Sequence, residues 1–353
     1  MTTTVTAPGA GPDARPEVGR PATRAVAFLA KTFVRVGVLP VLMVIAVVVF
    51  SQMSENFLTV DNLHSALRQN SYVIIATLAQ FVVLLAGGFD LSIGSVTALV
   101  SVTTAMAMAG QADGASPGAA VAIGIVTGLL VGLACGLVNA LGIGWLKVNP
   151  FIMTLATASI FQGLALRLTS GVPVYGMPAE FSQWFGFGDL FGLGISIWVA
   201  LVAALLLWVV LARTRQGRHV YAVGSSPHAA KLSGVREGRT LFLAYALSGL
   251  LAALGSVLLT ARIETGEANI GSSLPLQTIA AAVIGGVSLR GGSGSVVNAV
   301  LGAIFIGLVV NGMNLAQITS YYQMIVLGTV LALAVVADRL RQRVAAAVFA
   351  GKV

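Results

Sequence analysis

Apolar residues in this chain come in long runs separated by short polar segments: 36–53, 71–88, 91–109, 119–141, 150–167, 195–212, 240–260, 276–288, 294–314 and 320–337. Most runs approach the roughly 20 residues a helix needs to cross a bilayer. The pattern predicts an all-α fold, a polytopic transmembrane helical bundle of about ten spans. The eighth run is short before its glycines, which predicts a tilted or broken element. Composition agrees. Of 353 residues 57% are apolar and only 9% charged, where a water-facing domain carries about 25%.

Charge orients the bundle. With the N-terminus cytoplasmic, 17 of the 20 Lys and Arg fall in segments on that side, leaving Arg68, Arg167 and Arg262 outside or at the outer boundary. This is the positive-inside asymmetry, and it predicts that both termini are cytoplasmic. It also argues against nucleic acid as a partner, because the net charge of +8 sits between spans rather than on one basic face. Residues 1–32, rich in Pro, Gly, Thr and Ala, read as a disordered cytoplasmic tail. Residues 33–338 read as the transmembrane domain and 339–353 as a basic cytoplasmic tail. The "SQMSEN" after the first run offers no small-x-small cleavage site, so that run reads as an uncleaved span. Cys135, the single cysteine, permits no intramolecular disulfide.

Chemistry-bearing motifs are sparse. His64, His219 and His228 show no metal-ligand spacing, so no metal site is expected, and no catalytic residue is assigned. The glycine-rich "RGGSGS" (290–295) lacks the G-K-[ST] of a phosphate-cradling loop, so the chain is expected to bind no ATP or other cofactor itself. Gly124, Gly128, Gly132 and Gly136 recur at every fourth position of the fourth span, a stripe suited to close helix packing. In "KVNPF" (147–151), Asn149 caps a helix that starts at Pro150. Asn311 and Asn314 share a face of the ninth span, where amides bind either a neighbouring helix or a solute.

Two stretches outside the membrane stand out. "VDNLHSALRQ" (60–69) reads as a short interfacial helix capped by Asp61. Residues 169–194 are too broken by Pro and Gly to span. Their Tyr175, Phe181, Trp184 and Phe185 suit either the headgroup layer or a docking partner.

"LLAGGFDLSIGS" (84–95) places an acid behind two glycines at the mouth of a span. It has an echo: Gly87-Gly88-Phe89-Asp90-Leu91 matches Gly285-Gly286-Val287-Ser288-Leu289, and Gly94-Ser95-Val96 matches Gly294-Ser295-Val296. Asp and Ser both cap helices well, so each copy predicts a helix end at membrane depth, of the kind that lines solute sites in transporters. Asp90, Ser92, Ser288, Asn311 and Asn314 are therefore the candidate path residues. For Asp90 two roles stand: capping the third span, or meeting a solute with its charge. On the cytoplasmic side, 213–239 is the longest segment. Within it Gly224-Ser225-Ser226-Pro227 starts a short helix that Gly234 stops, either a linker or an insert for a partner's groove.

These pieces resemble a known family, the permease subunits of ABC importers for ribose and related monosaccharides. The similar stretches are "GGFDLSIGS" (87–95), "NPFIMTLATASIFQGLAL" (149–166), "AVGSSPHAAKLSGV" (222–235), "SGLLAALGSVLLTAR" (248–262) and "IAAAVIGGVSLRGGSGSVVNAVLGA" (279–303), in family order. The resemblance implies a non-enzymatic transport subunit of the bacterial inner membrane. It implies a second permease copy, identical or paralogous, a separate cytoplasmic ATPase that holds ATP-Mg, and an extracytoplasmic sugar-binding protein. Pro227 to Gly234 would be the coupling helix, with Pro227, His228, Ala229, Ala230, Leu232 and Gly234 meeting the ATPase; His228 stands where the family usually has an acid. Relatives of this kind also import a furanosyl signal, polyols or branched-chain amino acids, so the solute stays open. A proton-coupled secondary transporter is the reading from another class, with Asp90 as its one candidate relay acid.

Overall fold

The computed structural model describes residues 39–111 and 114–349, with side chains as far as residue 336 except at 334. The expected tail at 1–32 and the last four residues lie outside them. Among the described residues twelve helices of six residues or more carry the fold: α1 (Leu39–Met53), α2 (Val60–Leu85), α3 (Ile93–Ala109), α4 (Pro117–Gly144), α5 (Pro150–Thr169), α6 (Ile195–Arg213), α7 (Arg215–Ser225), α8 (Pro227–Leu232), α9 (Glu237–Ile263), α10 (Leu274–Ile284), α11 (Val296–Leu315) and α12 (Ser320–Phe349). Six of them, α2, α4, α5, α6, α9 and α11, are long and apolar enough to cross a membrane; α1, α3, α10 and the apolar start of α12 are shorter. The chain is thus an all-α polytopic membrane protein.

Several boundaries differ from the sequence reading for physical reasons. The segment 60–69 is no separate interfacial helix: α2 runs unbroken from Val60, and Thr59 rather than Asp61 accepts the capping N–H, from Asn62. The eighth run becomes α10, only 11 residues, or about 16 Å of helix against a hydrocarbon core of about 30 Å. The chain between α9 and α10 is turns rather than helix, and its Gly266 pairs with Val174 in an isolated bridge. The last helix continues past residue 338 to Phe349, so the last span and the start of the expected tail are one helix. Asn149 and Pro150 do start α5, with the Asn149 side chain accepting from Phe151 N at 3.0 Å.

The centre of the bundle is α2, where 78% of the most apolar stretch is buried, against 22% in α5 and 28% in α6, whose outer faces meet the surroundings. α9 packs along α4, α2 and α3. The glycine stripe of α4 makes this possible. Gly124 faces Met108, Gly128 faces Thr104, and Gly132 and Gly136 meet Gly249 backbone to backbone. Side chains at these positions would hold the helices apart, and close approach is what van der Waals packing in lipid rewards. The stripe is a packing face.

Outside the bundle core, 169–194 folds into a short helical turn (Ala179–Gly186) and a two-stranded hairpin, β1 (Asp189–Leu190) with β2 (Leu193–Gly194). Arg68 fastens it to α2, donating to Asp189 at 2.7 Å and to the Phe187 carbonyl at 2.9 Å. Phe181 is fully buried and packs on half-buried Phe185, so it serves neither the headgroup layer nor a partner; Tyr175 and Trp184 stay exposed.

Candidate functional site

The two glycine turns close α2 and α10 with the same geometry. Gly87 (φ +85°) and Gly286 (φ +92°) are left-handed. In each turn the next residue's N–H returns to the third carbonyl from the helix end, Gly88 to Val83 and Val287 to Ala282, and the glycine's own N–H to the second, Leu84 and Val283. This is the paired bonding of a Schellman stop, which only glycine enters without a Cβ penalty. The structural equivalence is therefore Gly87 with Gly286, one residue off the register in which the sequences match. What the sequence register does align is the side-chain turn after it. Asp90 Oδ1 accepts from Ser92 N at 2.9 Å, and Ser288 Oγ accepts from Arg290 N at 3.2 Å.

Neither residue caps the following helix. α3 starts at Ile93 and α11 at Val296, the latter capped by Ser295, which accepts from Asn298 N at 3.2 Å. Toward α3, Asp90 reaches forward no further than Ser92, because Leu91 and Ser92 form a turn between the glycine stop and the helix. The expected capping of the first turn of α3 is thus replaced by a wider task.

Asp90 is buried, 3% exposed, at the junction of four elements. Its Oδ1 accepts from the Ser92 hydroxyl at 2.6 Å and its Oδ2 from the Ser248 hydroxyl of α9 at 3.1 Å. Ser92 Oγ in turn accepts from Asn139 of α4 at 2.8 Å, and Asn139 Oδ1 accepts from Thr157 of α5 at 2.7 Å. Tyr245 of α9 donates to the Phe89 carbonyl at 2.9 Å beside them. Among the described residues the single ion pair is Arg68–Asp189, so hydrogen bonds alone compensate this acid. A carboxylate held at this depth without a cation is costly. The network ties the α2–α3 turn to α4, α5 and α9. Sequence reasoning found Asp90 and Ser92 and missed Asn139, Thr157, Ser248 and Tyr245; the signal available was a polar residue interrupting each apolar run.

The other path candidates lie elsewhere. Ser288 sits in the loop between α10 and α11, where its N–H donates to the Ser293 carbonyl at 2.9 Å. Asn311 and Asn314 are at the opposite end of α11. Asn311 exchanges two 3.0 Å hydrogen bonds with Asn62, and Asn314 accepts from Gln323 at 2.7 Å. The five candidates therefore form no single site.

At the end carrying the glycine turns, Thr214 caps α7, Ser226 caps α8 by accepting from Ala229 N, and Gly234 (φ +80°) stops α8 with the same paired bonding, Val235 N to Ala230 O and Gly234 N to Lys231 O. His228, Ala229, Lys231 and Leu232 face outward, Leu232 being 78% exposed. Ala230 does not. It is 4% exposed and turned into the protein's own body, so it is no part of a surface offered to another molecule.

The loop after α10 ties the end of α2 to α7. Gly292 N donates to the Leu85 carbonyl at 2.9 Å, Tyr221 of α7 donates to the Gly294 carbonyl at 3.0 Å, and burial pushes the Tyr221 phenol above its ordinary pKa. A Cβ at Gly224 would collide with the Leu85 carbonyl and lie 2.6 Å from Gly292 N. Gly224→Ala is therefore expected to force the junction apart, at a cost of about 1–3 kcal/mol, and to lower the melting temperature of the purified protein. Gly163→Ala, on an exposed helix surface with open space around it, is the matched control and should leave melting unchanged or slightly raised.

A model of the family described as "Branched-chain amino acid transport system / permease component" matches residues 62–335. The ribose import permease of Bacillus subtilis is 38% identical over 296 residues, covering 84% of this chain and 90% of its own. The ribose import permease of Escherichia coli K12 is 34% identical, covering 85% and 92%, and the L-arabinose transport permease of that organism is 37% identical, covering 74% and 77%. No solved structure matches the chain.

Proposed function

The chain belongs to this family of transport-system permease components, and from that premise we propose that it is the membrane subunit of an ABC importer for a monosaccharide of the ribose type. It is a multi-pass protein of the inner membrane. The single observation that carries the reading is the similarity to two ribose import permeases over more than four-fifths of both chains. Its partners are a cytoplasmic ATPase that binds ATP-Mg, an extracytoplasmic sugar-binding protein and a second permease copy. The chain itself performs no catalysis and holds no metal or cofactor. Exposed Leu232, with Ala229 and His228, gives the ATPase an apolar knob on a short, rigidly stopped helix. The proton-coupled alternative fits the geometry less well, because the Ser92 hydroxyl and the Ser248 hydroxyl of α9 both donate to Asp90 and hold it in place.

The topology in this proposal has ten crossings with both termini cytoplasmic, the eighth made of a turn-rich stretch and the half-length α10. Its support is that Gly266 pairs with Val174 of the 169–194 segment, while Gly291 and Gly292 in the loop after α10 meet Gly224 and Ser225 of α7. In a Cys135→Ser background, a cysteine replacing Ser116 should react with an impermeant thiol reagent applied outside cells, and one replacing Ser225 should not. The opposite pattern would overturn the orientation. Reconstituted uptake is the test of function. The chain, its ATPase and its binding protein, reconstituted in vesicles, should accumulate a monosaccharide only with ATP present. Uptake without ATP, collapsed by an uncoupler, would sink the reading.

A further inference from the structure

The close approach of α4 to α9 continues to the end of both helices. Gly144 and Gly238 face each other there, and a Cβ on either would run into the other's carbonyl. The contact sets Trp145, the residue after α4, against Phe242 in the second turn of α9. Their rings stack with centroids 5.4 Å apart and planes 16° apart. The start of α7 stands alongside, and between the three elements lies a cavity of about 460 Å³. That is within the roughly 300–1,000 Å³ of small-molecule sites.

The lining is of two kinds. Arg236 and Arg239 at the start of α9, with Gln216 and His219 of α7, make one part polar and cationic, and no acidic residue borders it. Among the described residues the single ion pair is Arg68–Asp189, so neither guanidinium has a carboxylate partner. Trp145, Phe242 and Leu243 make the other part apolar. This part opens onto the outside of the bundle. Val126, Leu130, Val138, Leu141 and Trp145 are exposed along one face of α4, and Leu243 and Leu250 are exposed two turns apart on α9. The cavity thus sits where two apolar outer faces run out and cationic side chains begin. The end of α6 marks the same boundary: Arg213 lies over the ring of exposed Trp208, 5.8 Å from its centroid, an apolar body with its charge turned to the headgroup layer.

We propose that this cavity binds the headgroup of an anionic phospholipid of the cytoplasmic leaflet, with Arg236 and Arg239 on its phosphate and its acyl chains along α4 and α9. A guanidinium meets phosphate oxygens through paired N–H donors in a fixed fork. Gln216 and His219 offer further donors to headgroup oxygens. A zwitterionic lipid would bring its own cation against two arginines, which selects the anionic class. A soluble phosphate would fill the polar part alone and leave Trp145 and Leu243 against water, which selects a lipid. Gly234, which stops α8, borders the cavity as well, so an occupied cavity braces the base of α8. The leaflet follows from the topology proposed above, which the thiol labelling decides separately.

The test uses the full-length permease purified in detergent, with dioleoylphosphatidylglycerol, dioleoylphosphatidylcholine or glycerol 1-phosphate added. Native mass spectrometry reads the lipid retained, and a melting curve reads the protection it gives. The wild type should retain phosphatidylglycerol at least tenfold better than phosphatidylcholine and melt higher with it, and glycerol 1-phosphate should change nothing. Arg236→Gln combined with Arg239→Gln should lower phosphatidylglycerol retention roughly 25-fold. Both side chains are exposed, so the lipid-free melting temperature should hold. Arg215→Gln combined with Arg218→Gln removes the same charge from exposed positions outside the cavity and should keep the preference. Equal retention of the two lipids by the wild type overturns the proposal. An equal loss in both double variants also overturns it, by reducing the effect to surface charge, as does protection by glycerol 1-phosphate alone. A cavity variant that keeps its phosphatidylglycerol but no longer captures the ATPase would assign the arginines to that interface and not to lipid.

Discussion

Asp90→Asn is expected to insert, assemble and keep most of its transport, whereas Asp90→Ala is expected to be lost before it reaches the assembled importer. The asparagine keeps Oδ1 for the Ser92 N–H and hydroxyl, and the Ser248 hydroxyl can rotate to accept from the new amide in place of donating. The alanine leaves those three donors without an acceptor in a buried site. Each stranded donor costs about 1–3 kcal/mol, a large fraction of the margin by which most proteins are folded. Thermal melting in detergent and the yield of the complex measure the difference. Asp90→Asn that assembles with normal yield and binds its ATPase, yet moves no solute, would show that the charge itself serves the transport cycle.

The second large effect is at α8. Leu232→Asp should abolish capture of the ATPase while leaving insertion of the chain intact. Burying a leucine contributes about 1.5–3 kcal/mol, and tenfold in affinity corresponds to about 1.4 kcal/mol, so ten- to hundredfold weaker docking is expected. Ala230→Trp should behave differently. Its site is already filled by the protein's own atoms, so it should lower melting temperature along with docking. Co-purification of ATPase with the permease, read beside a melting curve, separates the two. Leu232→Asp that retains its ATPase would mean the helix is only a linker.

The helices were legible because lipid imposes one rule on every span: a long apolar run. Caps at Asn149 and stops at Gly87 and Gly234 were legible for a similar reason, since each answers a local backbone need. Asn139, Thr157 and Ser248 were not, because their pairing joins helices distant in sequence and no local pattern encodes a partner. α10 shows the same limit from the other side. Its run looked short, and only the structure shows that turns through Gly266, bridged to Val174, stand before it in place of helix. The register of the repeat failed by one residue because sequence matching rewards side chains, while the Schellman stop depends on backbone.

The glycine seam between α4 and α9 bears on how the molecule is made. Spans enter the bilayer singly and associate afterwards, and the two sides of this seam are far apart in the order of synthesis. While α5 to α8 are being made, the grooved face of α4 at Gly132 and Gly136 has only lipid against it. The arrival of Gly249 and Ala253 on α9 closes the groove and, with Ser248 reaching Asp90, fixes the polar junction in the same event. Biogenesis thus has a late commitment step: a chain interrupted before α9 has its helices but not their arrangement.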